Sequence, residues 1–244
     1  MGFDITFHPI GLEDAQYFVF DVLDEPRLVH ERLAALTRVP EKRSLAKSAY
    51  ETLLQWRNPR DWAEQGPNFG STVAFVTAAI AGFLCPYWYS RSGAVSFHAN
   101  RHPQVLSLFC SWTKLGRGYV SRMPDDSRGL LLTSYHASGF VAPEQLGELE
   151  SFALDVGRAK QSEAYDDDPI PVAPKGLRPV SLSRAFDDDG LASLLTAIEY
   201  AKEHDVGIIE ASDVVVPLAD ETCTDPEHFR DSGNLRDFTI RRAT

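Results

Sequence analysis

Apolar residues recur at three- and four-residue spacing along most of this chain and alternate in only a few short places. FDITFHPI, residues 3–10, alternates enough to predict a short strand, closed by Pro9. Leu12, Ala15, Phe18, Val19 and Val22 then predict a helix over 12–23, with Glu13 and Asp14 at its positive end. The helical pattern continues through Leu28 to Leu36 and Leu45 to Trp56, with Leu33, Leu36, Leu45, Ala49, Leu53 and Trp56 as one stripe. NPRDWAEQGPNFG reads as a loop by its prolines, glycines and asparagines.

Residues 71–89, STVAFVTAAIAGFLCPYWY, predict a buried central helix. The run approaches the length of a bilayer span, but Ser71, Thr72, Thr77, Gly82 and Pro86 interrupt it and no basic cluster flanks it closely. SRSGAVSFHANRHP follows as turn, short strand and turn, and Pro103 is placed to open a helix running through Leu115. The GRG at 116–118 is a break. GLLLTSYHASGFV has strand composition, although its leucine run fits a buried helical turn equally well.

Pro143 and Glu144, followed by Leu146, Leu149, Phe152, Ala153 and Val156, predict a helix whose negative end suits Arg158 and Lys160. A second one carries Leu191, Leu194, Leu195, Ile198 and Ala201 on one face, with Lys202 and His204 in its last turn. GIIEASDVVVP is then a strand, or a tight pair around a turn at Ala211 to Asp213, and a polar tail begins at Thr222. The sum is an α+β fold, predominantly helical with a few short strands. Its expected organisation is a helical core domain with an N-terminal strand (1–160), a proline-rich acidic connector (161–186) and a C-terminal helix–strand segment packed on the core (187–244).

With 244 residues, 43% of them hydrophobic and 11% aromatic, the chain can bury a substantial core. Between Glu64 and Asp125 there is no acidic residue, while Phe75, Phe83, Trp88, Phe97, Phe109 and Trp112 all fall there, so this window is the expected source of that core. The net charge of −11 is uneven: residues 1–120 hold 12 basic and 11 acidic residues, residues 121–244 hold 12 and 24. Such acidity repels nucleic acid and anionic lipid and raises the capture rate of basic proteins. Cys85, Cys110 and Cys223 are odd in number and far apart, which predicts reduced thiols rather than a disulfide framework or a zinc knuckle. The N-terminus has no secretory pattern, and its match to a myristoylation pattern through Gly2 and Thr6 lacks a polybasic patch, so a cytoplasmic protein is expected.

Candidate chemistry is sparse. Asp166 to Asp168 and Asp187 to Asp189 have the D-x-D spacing of magnesium sites, yet the first triplet runs into Pro169, Pro171 and Pro174 and the second sits where a helix N-cap is needed. His98 and His102 stand four apart, as in zinc peptidases, but Ala99 occupies the place of the required glutamate. Cys223, Asp225, Glu227 and His228 lie in the polar tail. No nucleophile elbow, S-x-x-K, Walker loop or dinucleotide fingerprint is present, so a binding protein without a cofactor is expected, and a metal-dependent enzyme using the aspartate runs or the His98/His102 pair is the rival.

The opening MGFDITFHPI, the segment LASLLTAIEYAKEHDVGIIEASDVVVP, the acidic second half and the missing catalytic motifs together resemble bacterial immunity proteins paired with polymorphic or type VI-secreted toxins, including those that oppose restriction-endonuclease-like nucleases. The resemblance implies a cognate protein toxin with a basic cleft as partner, and no direct contact with nucleic acid or membrane. On that reading Asp166, Asp167, Asp168, Asp187, Asp188, Asp189, Glu210 and Asp213 are the candidate contact carboxylates, with Tyr165 and Phe186 as apolar anchors beside them.

Overall fold

The computed structural model describes residues 5–37, 40–55, 73–90, 94–98, 102, 104–110, 115–116, 118, 137–159, 188–212 and 223–224. Its centre is the strand β1 (Ile5–Ile10), all six residues of which are buried. Alternation therefore does not separate core from solvent here. It sends Ile5 and Phe7 into one core and Thr6, His8 and Ile10 to the other side, and helices cover both faces.

Four strands flank β1 in a sheet ordered β3–β4–β1–β2–β5, made of β2 (Tyr87–Ser90), β3 (Ala137–Val141), β4 (Gly207–Ser212) and β5 (Cys223–Thr224). Every pairing is antiparallel, with Phe7 opposite Trp88 on one side and Glu210 on the other. β1 continues through Pro9 to Ile10, past the predicted end. The β2 ladder stops at Phe7, so the missing proline N–H interrupts pairing on one side only, while Pro9 stays opposite Ile208.

On the Ile10 side lies the first helical layer: α1 (Leu12–Ala15), a π-helical turn (Gln16–Phe20), α2 (Asp21–Asp24), a 3-10 turn (Pro26–Leu28), α3 (Val29–Leu36), α4 (Pro40–Gln55) and α5 (residues 73–84). The predicted helix over 12–23 thus exists, but it is widened in the middle. The Asp21 N–H reaches Gln16 O across the wide turn, and the Tyr17 carbonyl instead accepts from Arg32 Nε at 2.9 Å. Arg32 also lies 3.5 Å over the Tyr17 ring, which lets this cation sit buried.

The predicted helix over 71–89 is two elements. Residues 73–83 of α5 are buried all round, as its composition requires, but Pro86 cannot continue a helix, and the aromatic run after it joins the sheet as β2. Tyr87 and Tyr89 face the first layer and Trp88 the second.

That second layer holds a 3-10 turn (Val95–His98), the short α6 (Val105–Leu108), a 3-10 turn (Pro143–Gln145), α7 (Leu146–Ala159) and α8 (Asp188–Glu203). Two expectations fail here. Ala94 to His98 coil where a strand was predicted, and α6 ends at Leu108 because Phe109 turns extended and Cys110 pairs with Phe140. α7 and α8 match their apolar stripes: Leu146, Leu149 and Ala153 meet Leu194, Ala197, Ile198 and Ala201 over Ile5, Phe7 and Ile208.

α8 closes with paired bonds, Val206 N–H to Ala201 O at 3.0 Å and Asp205 N–H to Lys202 O at 3.4 Å, the Schellman pattern, and Asp205 takes φ 53° where glycine is usual. The chain then enters β4 between β3 and β1, so the C-terminal segment supplies an inner strand of the sheet. The connector 161–186 and the loop 58–70 lie outside the described residues. Cys85 and Cys110 are half-buried thiols, and no helix among the described residues is long and apolar enough to cross a membrane.

Candidate functional site

The predicted contact residues divide in three. Tyr165, Asp166, Asp167, Asp168, Phe186, Asp187 and Asp213 lie outside the described residues. Asp188 and Asp189 open α8, where free N–H groups and the helix dipole favour carboxylates, and Asp189 is exposed there.

Glu210 requires a correction. It is 3% exposed, on the same side of β4 as Ile208, with its carboxylate bound by Val95 N–H at 2.5 Å, Ser96 N–H at 3.2 Å and Ser96 Oγ at 2.5 Å. The carboxylate caps the start of the Val95–His98 turn from inside the protein. A group with its lone pairs so engaged, beneath the second helical layer, is not offered to a partner, and Glu210 leaves the acidic contact set.

The exposed positions of α7 and α8 supply acids that the predicted set lacks. With their apolar stripes on the sheet, both helices turn the opposite stripe outward. On α7 and the turn before it that stripe carries Glu144, Glu148, Ser151 and Asp155; on α8 it carries Asp189, Ala192, Thr196, Glu199 and Glu203, and exposed Asp205 follows directly. The helices lie side by side, joined by Lys202 Nζ to Glu150 Oε2 at 2.5 Å. That bond compensates the one lysine on the pair whose side chain is described.

At about 1.5 Å of rise per residue, Asp189 to Glu203 spans about 21 Å, and neighbouring helix axes stand about 8–10 Å apart. The spacing between the helices is close to the screening length in physiological salt, about 8 Å, while the full span exceeds it, so neighbouring members of the seven outward carboxylates reinforce one another locally. Their spacing was legible in the sequence, as acids complementary to the apolar stripes, but the conspicuous triplets drew the prediction elsewhere.

His98 and His102 are closer to helical geometry than the sequence suggests, since His102 N–H bonds His98 O at 2.8 Å. Their ring centroids lie 6.4 Å apart and both pack edgewise on Phe152 of α7, at 5.7 and 5.6 Å. His98 is buried and His102 half-buried. No group of three or more His, Cys, Asp or Glu able to hold a metal occurs among the described residues. Near the end of α8, the Tyr200 ring stacks on His204 at 3.9 Å and tilts against Trp88 at 5.4 Å, and burial pushes the Cys85 thiol up, which makes it a poor nucleophile.

No family model, no curated protein and no solved structure matches this chain.

Proposed function

We propose that the chain is an immunity protein that neutralises a basic, nuclease-type toxin by direct stoichiometric binding, with the outer face of α7 and α8 as the described part of its contact surface. The observation that carries this reading is the set of Glu144, Glu148, Asp155, Asp189, Glu199, Glu203 and Asp205, exposed on two adjacent helices and the turns that flank them. Carboxylates held on a scaffold steer a cationic partner and compete with the phosphate backbone for its cleft. The aspartates of 166–168 and 187 extend the same sign of charge along the chain leading into α8.

The test is co-expression with the protein encoded by the neighbouring gene. The reading expects restored growth of cells producing that protein and a complex of fixed stoichiometry that weakens as salt rises. Absence of a complex, or a complex indifferent to salt, contradicts it.

A further inference from the structure

His8 is wholly buried and meets no carboxylate among the described residues. It is 0% exposed, in the strand that lies between β2 and β4. Its Nε2 is 2.7 Å from Thr6 Oγ1, and the Thr6 hydroxyl donates to the Ala211 carbonyl at 3.3 Å. Because that hydroxyl has one proton and donates it, its oxygen accepts from Nε2–H. This fixes the neutral tautomer and leaves Nδ1 a bare acceptor, for which no partner is present among the described residues. The ring stacks on Tyr87 at 4.8 Å and 15°.

Among the described residues the surroundings offer a cation the face of Tyr87 but no carboxylate. On this side of the sheet β2 presents Tyr87 and Tyr89, β4 presents Ile209 and Ala211, and residues 73–84 of α5 carry no ionisable group. Farther out, α4 contributes buried Tyr50 and α3 buried Arg32, whose charge would repel an imidazolium. Cys85 is half-buried; of the acids on α1 and α2, Glu13 and Asp24 are exposed, and Asp14 and Asp21 are partly so. The one fully buried carboxylate among the described residues, Glu210, faces the second layer.

We propose that His8 is an acid-operated latch: a proton on this ring cannot be housed between Thr6 and Tyr87, so its uptake releases β1 from β2 and β4 and separates the two helical layers. Burial holds the imidazole down to about 3, against 6.5 for a free histidine. The opened chain therefore binds the proton first. The latch is fully closed above pH 6.5, loosens as pH falls from there toward 3, and lowers the folded-to-open ratio about tenfold per pH unit across that window.

The test follows the His8 ring by NMR in the full chain while β1 amide exchange, corrected for its intrinsic rate, is measured over the same pH range. The expected result is an Nε2–H ring that does not titrate while the protein is folded, with β1 protection falling as pH drops below 6.5. His8→Phe, which keeps the stacking on Tyr87, should flatten that fall relative to wild type; the wild-type measurements decide the matter alone if this variant does not fold. A His8 ring that titrates near 6.5 in the folded protein, or β1 protection independent of pH, overturns the proposal.

Discussion

Glu210 shows how one side chain can mislead a sequence reader. In GIIEASDVVVP the charge attracts attention, but alternation already places it on one side with Ile208, and Phe7 stands opposite it in the register. What the sequence does not reveal is that both faces of the sheet are covered, which converts an apparent contact residue into an internal cap. Glu210→Ala should leave the Val95 and Ser96 N–H groups without an acceptor and cost about 2–4 kcal/mol, read as a lowered denaturation midpoint at unchanged slope. Gly207 is as constrained for a different reason: a Cβ there would lie 2.1 Å from Phe140 Cζ and 2.5 Å from the Val141 carbonyl. Gly207→Ala is expected to destabilise by about 1–3 kcal/mol, since buried Phe140 and the β3 backbone must both shift. Chemical denaturation of that variant checks it, and full stability would show that the close approach of β3 to β4 is relieved easily.

Among the elements, the long amphipathic helices α4, α7 and α8 were legible because their apolar stripes persist over several turns. The failures are short pieces whose form is decided by tertiary partners. Val95–His98 coils because Glu210 holds its first N–H groups, and α6 stops where Cys110 finds Phe140. The π-helical turn was invisible because its stabilising partner, Arg32, comes from another helix. The C-terminus of α8 offers a clean test of local backbone energetics. Asp205 is the single non-glycine residue with positive φ among the described residues, and Asp205→Gly should relieve the left-handed conformation. A gain of up to about 1 kcal/mol in thermal or chemical denaturation is expected, offset in part by the greater freedom of glycine in the unfolded chain. A clear loss would mean that the carboxylate, not the backbone, matters for stability at this position.

For the molecule as a whole, the acid-free window supplies part of the core through α5 and the aromatic residues of β2, while α1 to α4, α7 and α8 supply much of the rest and the side chains of Phe97 and Trp112 lie outside those described; the α+β, mainly helical class follows from the same periodicities. The long-range strand pairing was not legible, because the pairing of β4 with β1 joins residues about two hundred positions apart and no local pattern encodes it. Charge also redistributes on folding. The first layer has exposed acids of its own, Glu13, Asp24 and Glu31, while Arg27 and Arg32 pair with Glu25 and Glu31. The second layer differs in gathering seven outward acids on α7, α8 and the turns beside them, interspersed with Ser151, Ala192 and Thr196, with its one described lysine already paired. Reversing charge there should act mainly on association and leave the fold within about 0.5 kcal/mol per site, because these positions make no core contacts.

The most direct measurement is the association rate between this chain and its proposed basic partner, sought as the product of the neighbouring gene, followed from low to physiological salt for wild type and for the combined variant E148K/D155K/E199K/E203K. The account predicts a wild-type rate that falls steeply with salt, and a variant slower by about tenfold or more at low salt with the salt dependence largely gone. Equal rates and equal salt slopes for the two proteins, with the variant still folded, would contradict the claim that the outer face of α7 and α8 captures the partner.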